Sequence, residues 1–125
     1  MLLAVSQEYE MEIEDPHIAM CFGGGMGLTG EVCGAVSGAL MAISLVKGPA
    51  GNEQEFLDIM SLARDLRSRF ETEMGTINCR DLTGVDLAAP GGFESYIESG
   101  KSEEVCVPAV DAAYRAVMDV LKKVK

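Results

Sequence analysis

Phe22-Gly-Gly-Gly-Met-Gly-Leu-Thr-Gly-Glu-Val-Cys-Gly-Ala-Val-Ser-Gly38 holds seven glycines and one cysteine, and it runs from a loop into an apolar helix. A glycine inside a helix costs roughly 1 kcal/mol relative to alanine. Such a density therefore calls for special backbone angles, a close approach of another backbone, or a ligand. The spacing predicts a helix over 31–46, capped by Thr29 or Gly30, with Glu31 near its positive end. Lys47, Gly48 and Pro49 mark its end. Gly30, Gly34, Gly38 and Ala42 recur every four residues and form a ridge of small residues on one face. The ridge reads as tight packing inside a helical bundle, with direct ligand contact at Gly38 and Ala42, or a helix–helix homodimer contact, as the other readings.

Outward from this run, the periodicity is helical wherever it is regular. Residues 1–11 read as a helix fragment. Asp15-Pro16 is a start signal, with Asp at the cap and Pro at the first helical position, for a short helix over 16–22. The clearest helix covers 52–75. Asn52 caps it, Gly75 stops it, and Phe56, Ile59, Met60, Ala63, Leu66, Phe70 and Met74 mark an apolar stripe. The methionines read as gap-filling core. Residues 78–84 look like one capped helical turn, with Asn78 as cap and Cys79 first inside, and 85–100 reads as a loop. The last helix is expected over 108–123, with Val110, Ala113, Tyr114, Val117, Leu121 and Val124 on its apolar face. No strand pattern emerges. The expected fold class is all-α: one domain over 1–125, a compact bundle of four to five helices with the Gly-rich loop between the second and third.

Composition limits the function classes. The chain has 125 residues, 48% of them apolar, and a net charge of -10. So acidic a surface repels phosphate backbones and argues against nucleic acid as a partner. No apolar stretch reaches the ~18 residues of a membrane span. No basic region precedes the first apolar residues, so a secretory signal is not expected and a cytoplasmic setting is. The four cysteines, Cys21, Cys33, Cys79 and Cys106, include no CxxC, which speaks against a zinc ribbon.

Three of these cysteines, Cys33, Cys79 and Cys106, fall at or just before predicted helix starts, where the dipole and free N–H groups favour a thiolate. Cys21 falls near a helix end and reads as a packing cysteine. Gly25-Met-Gly-Leu-Thr-Gly30 is formally a GxGxxG run, but the strand–turn–helix context of a dinucleotide site is missing. His17, the one histidine, reads as a surface residue rather than as a base for Cys33.

Cys33-Gly-Ala-Val-Ser-Gly38 matches a CGAxxG motif, preceded by Phe22-Gly-Gly-Gly-Met and Gly30-Glu-Val. Asn78-Cys-Arg-Asp-Leu-Thr-Gly84 matches a later Asn-Cys-Arg-x-Leu-x-Gly, and Cys106 stands before the last helix. With these motifs, over nearly its whole length, the chain resembles the four-cysteine CGAxxG family of redox-active proteins. The resemblance implies a small helical protein with a thiol redox or electron-transfer role and an as yet unidentified redox partner. Cys33 and Cys79 are the expected reactive pair, with Cys106 as resolving thiol. Gly23, Gly24, Gly25 and Gly34 would shape the site or contact a cofactor. An Fe–S cluster or another thiolate-bound metal on Cys33, Cys79 and Cys106 is the rival expectation, and a non-catalytic helical assembly protein is the third. The family's first cysteine lies in an Asn-Cys-Ala-like stretch of an N-terminal helix. The start at Met1-Leu-Leu-Ala-Val resembles the residues just after that stretch, so this cysteine is expected to be missing, and Cys21 is not expected to replace it.

Overall fold

The computed structural model describes residues 1–122. Its elements in chain order are α1 (Leu2–Glu8), a 3-10 helix (Pro16–Phe22), α2 (Gly23–Met26), α3 (Gly34–Lys47), α4 (Glu53–Met74), α5 (Cys79–Thr83), α6 (Gly92–Glu98), a π-helical turn (Ser102–Cys106) and α7 (Val107–Lys122). Among the described residues there is no strand, only an isolated antiparallel bridge between Val32 and Asn78. The fold is all-α.

The frame is α3, α4 and α7 packed against one another, with α1 laid on α3. Each contributes the small or branched side chains its spacing predicts. Val36, Ala39 and Ile43 of α3 meet Leu66 and Phe70 of α4 and Ala113, Val117 and Val120 of α7, all fully buried. The alanines of α3 and α7 let the helices approach closely, and Phe70 fills the space they leave. The small-residue ridge is used within the chain: a side chain at Gly38 would meet Met1 Cβ at 3.1 Å, where α1 crosses α3. Gly30 is not part of that ridge, because α3 starts at Gly34 and Gly30 lies in the segment before it.

Helix ends follow the expected chemistry at most places. Asp15 Oδ1 accepts from His17 N at 2.9 Å and Pro16 opens the turn. Asn52 Oδ1 accepts from Glu55 N at 2.8 Å, while Glu55 Oε2 accepts from Gly51 N at 2.6 Å, so two otherwise free N–H groups are satisfied at the start of α4. Gly75, at φ 89°, turns the chain out of α4. Asn52→Ala is expected to lower stability by about 1 kcal/mol in urea unfolding, with the slope of the transition unchanged.

Several expectations are corrected. Helix α3 begins three residues later than the predicted 31–46, with Cys33 and not Thr29 or Gly30 at its N-cap. Glu31 is drawn into backbone pairing with Cys79 instead. The apolar stripe of α4 is buried only toward its C-terminal half: Phe56 is 50% exposed, whereas Leu66 and Phe70 are fully buried. Asn78 makes no side-chain cap for α5; its amide leans toward Asp81 at 3.5 Å. The predicted loop over 85–100 contains α6, whose Phe93, Tyr96 and Ile97 lie at helical spacing. The final helix ends, as described, at Lys122; the predicted Lys123 and Val124 lie outside the described residues. Met41, Met74 and Met118 pack on the core, but Met20 and Met26 are exposed, 71% and 51%.

Candidate functional site

Two short backbone segments, 30–33 and 77–80, lie antiparallel around the Val32–Asn78 bridge. Cys33 N donates to Ile77 O at 2.7 Å, Cys79 N to Glu31 O at 2.7 Å, and Arg80 N to Gly30 O at 3.0 Å. Side chains alternate across such a pair. Cys33 and Cys79 each stand one residue beyond the bridge, so both project to the face opposite Val32 and Asn78, in a diagonal relation. Each segment then turns at once into a helix, α3 after Cys33 and α5 at Cys79. The sequence signal for this clasp is the predicted helix start, misread by three residues, because no run long enough to read as a strand flanks it.

The Gly-rich run closes over the clasp. Helix α2 is helical in name only: Gly24 and Gly25 take φ 65° and 71°, in the left-handed region. Gly25 O accepts from Glu31 N at 2.9 Å and from Thr29 Oγ1 at 2.6 Å, which folds the loop back on the bridge segment. A Cβ at Gly25 would lie 2.7 Å from Cys79 Cβ and 2.5 Å from Glu31 N. The glycine lets the loop backbone pass directly against the site. Gly34 has the same purpose at the start of α3, where a Cβ would lie 2.9 Å from Phe22 O.

Between the loop, the clasp and the C-terminal helices is a cavity of about 510 Å³. All four cysteines line it: Cys21, Cys33, Cys79 and Cys106. So do Gly23, Gly24, Gly25 and Gly34. The rest of the wall is apolar or aromatic, with Met20, Leu28, Leu87, Phe93 and Val110, and the lining includes no charged side chain. Tyr96 is its one hydroxyl, 3.0 Å from Cys106 Sγ. This volume is in the range of small-ligand sites.

The electrostatics run opposite to the expectation from helix dipoles. Burial pushes the Cys33 thiol above its ordinary value, although the N–H groups of Ala35 and Val36 act to lower it. Burial also pushes Cys79 up, and the neighbouring Cys106 and Cys33 add to the rise. The helix starts are there, but removal of the thiolate from water outweighs them. Cys106 has no helix start at all. It closes the π-helical turn that runs continuously into α7, so the N–H groups that would have held an anion are engaged within the helix. Tyr96 is likewise raised, by burial first and then by its hydrogen bond to Cys106. At neutral pH Cys33 and Cys79 are therefore neutral thiols.

Among the wall residues not expected there are Cys21 and Tyr96, which bring a thiol and a hydroxyl. Cys21, read as a packing cysteine, is exposed. Its 3-10 helix is too short to bury it, and Gly27 N donates to its carbonyl at 2.8 Å, wrapping the loop so that the side chain borders the cavity. Tyr96 was hidden in the supposed loop, though the Phe93, Tyr96, Ile97 spacing carries a helical signal. His17 lies away from the cavity wall and is bound to Asp15 through Nδ1 at 2.8 Å. The GxGxxG run is followed by a helix, but no strand precedes it among the described residues. Nor is any group of three or more His, Cys, Asp and Glu side chains among them placed to hold a metal ion.

No helix among the described residues is long and apolar enough to cross a membrane. No curated protein and no solved structure matches the chain. One family model does, over residues 1–120, and its description is "Putative redox-active protein (C_GCAxxG_C_C)". With nearly the whole chain matched, the protein whose four cysteines line this cavity belongs to that redox-active C_GCAxxG_C_C family.

Proposed function

We propose that the protein is a thiol–disulfide redox protein in which Cys33 and Cys79 cycle between dithiol and disulfide, with Cys106 as a third thiol in the same cavity. The observation that carries this reading is that Cys33 and Cys79 flank one backbone bridge on the same face and open, with Cys106, into a single cavity. In a regular antiparallel ladder such diagonal residues are about 7–8 Å apart. The α-carbons of a disulfide span about 4.4–6.8 Å. A small closing movement of the two segments joins the sulfurs.

Oxidation removes one proton from each thiol, forms the S–S bond and passes two electrons to an external disulfide, which leaves as two thiols. The elevated thiol pKa values make the dithiol form of the inner site neutral and slow to react on its own. All four cysteines are free thiols in this structure.

The test is a thiol count on protein equilibrated in oxidising and in reducing buffer, with a visible absorption spectrum of anaerobically prepared material. The expected result is a colourless protein that gains two thiols on reduction. Broad visible absorption with bound iron, or a thiol count that reduction does not change, would overturn the proposal.

A further inference from the structure

Of the four cysteines on the cavity wall, Cys21 is the only one that is exposed; Cys79 is 7% exposed, and Cys33 and Cys106 are half-buried. A disulfide arriving from solvent meets Cys21 first. The inner thiols are less open: burial pushes Cys33 and Cys79 above the ordinary thiol value, and Cys106 is engaged with the Tyr96 hydroxyl at 3.0 Å. On the chain, Cys21 is followed by Phe22 and then by glycines. Gly23, two residues after Cys21, has open space where a side chain would sit.

We propose that Cys21 is the exchange thiol of this site: it takes the disulfide from an uncharged, apolar small-molecule disulfide and hands it to the cavity cysteines. The inference rests on the thiol–disulfide function proposed above and names the atom at which that function meets its substrate. The substrate class follows from the cavity, whose lining is apolar and includes no charged side chain, and from a net charge of -10 that disfavours anionic disulfides.

Atoms and electrons balance through three exchanges. The Cys21 thiolate attacks one sulfur of R–S–S–R; that S–S bond breaks, a Cys21–S–SR mixed disulfide forms, and RS⁻ leaves, taking up the proton that Cys21 released. Cys33, as it loses its proton, attacks Cys21 Sγ; the mixed disulfide breaks, a Cys21–Cys33 disulfide forms, and the second RS⁻ leaves with the Cys33 proton. Cys79 then displaces Cys21 from Cys33, its proton passing to Cys21. R–S–S–R has been reduced to two RSH, two protein thiols have been oxidised to one Cys33–Cys79 disulfide, and Cys21 is again a thiol.

The experiment uses bis(2-hydroxyethyl) disulfide as the uncharged probe and oxidised glutathione as the anionic one. Formation of the internal disulfide is followed in the wild type and in Cys21→Ser, and adducts are mapped by peptide mass spectrometry in Cys33→Ser. The expected result is that Cys21→Ser oxidises roughly ten-fold more slowly or worse with the uncharged probe, yet still forms the internal disulfide with diamide, which shows its inner site intact. Cys33→Ser should accumulate one mercaptoethanol adduct, on Cys21, and wild type should react faster with the uncharged probe than with glutathione disulfide. If Cys21→Ser oxidises at the wild-type rate, or the adduct maps to Cys79 or Cys106, the exchange role is overturned while the redox function stands. If wild type forms no internal disulfide with any of these oxidants, the function itself fails, and this inference with it.

Discussion

Cys33→Ser is expected to abolish the reversible two-electron titration of the protein in a thiol–disulfide buffer while leaving its helix content unchanged. The fold has good reason to tolerate the change. Cys33 is the N-cap of α3 and makes no side-chain cap hydrogen bond. Its carbonyl accepts from Val36 N at 2.9 Å and Ser37 N at 3.2 Å, contacts that any residue keeps. Serine is a preferred N-cap residue, so the variant should be as stable as wild type or more so. A hydroxyl cannot form the S–S bond, and loss of the titration then reads on chemistry alone. The pH dependence has a defined sign. Burial lifts Cys33 above the ordinary thiol value of 9.0, so its alkylation rate in the reduced wild type should still be climbing above that pH. An unchanged titration in the variant would remove Cys33 from the mechanism.

Gly25→Ala is expected to destabilise the protein by about 2–5 kcal/mol, which lowers the thermal midpoint by roughly 10–20 °C. Two costs combine. The backbone at Gly25 sits at φ 71°, a conformation that costs an L residue roughly 1–2 kcal/mol. The new methyl would also lie 2.5 Å from Glu31 N and 2.7 Å from both Glu31 O and Cys79 Cβ. Those neighbours are backbone and the root of a buried side chain, held by the bridge between 30–33 and 77–80, and they have no rotamer to change. Gly27→Ala is the control. Gly27 has a similar φ of 67° but open space at its Cβ, so it should lose only the conformational part. Equal losses in the two variants would mean that the loop does not press on the clasp as described. Because the added methyl abuts Cys79, Gly25→Ala should also shift the midpoint of the redox titration, whereas Gly27→Ala should not.

How far the sequence could be read depended on how local each determinant was. Helix α4 was legible almost to the residue, since Asn52, Glu55 and Gly75 act through neighbours a few positions away. The apolar spacing of α7 and the Asp15-Pro16 start were legible for the same reason. The failures depended on contacts far apart in the chain. The delayed start of α3 follows from pairing of Glu31 with Cys79, which no local pattern announces. The direction in which Cys33 and Cys79 are shifted was misjudged because a helix start is a local feature, while the burial that outweighs it depends on parts of the chain far apart in sequence. Cys106 was placed at a helix start because Pro108 mimics one; the π-helical turn before it continues the helix backward instead. The glycines at 23–25 and 34 could be singled out as unusual, but only the cavity shows what lies against them, and Cys21 entered the site because the loop wraps it there.

The Val32–Asn78 bridge also fixes a thermodynamic relation. In the unfolded chain Cys33 and Cys79 are ends of a long, wandering segment, and joining them costs about 4 kcal/mol of chain entropy for a loop of this length. In the folded protein two short peptide segments, held by a few backbone hydrogen bonds, have already brought the thiols to neighbouring positions. Their effective concentration toward each other is set by that clasp and not by solution chemistry. On the proposed Cys33–Cys79 cycle, fold stability and reducing power are therefore linked: whatever tightens the clasp favours the disulfide, and whatever loosens it makes the oxidised protein the stronger oxidant.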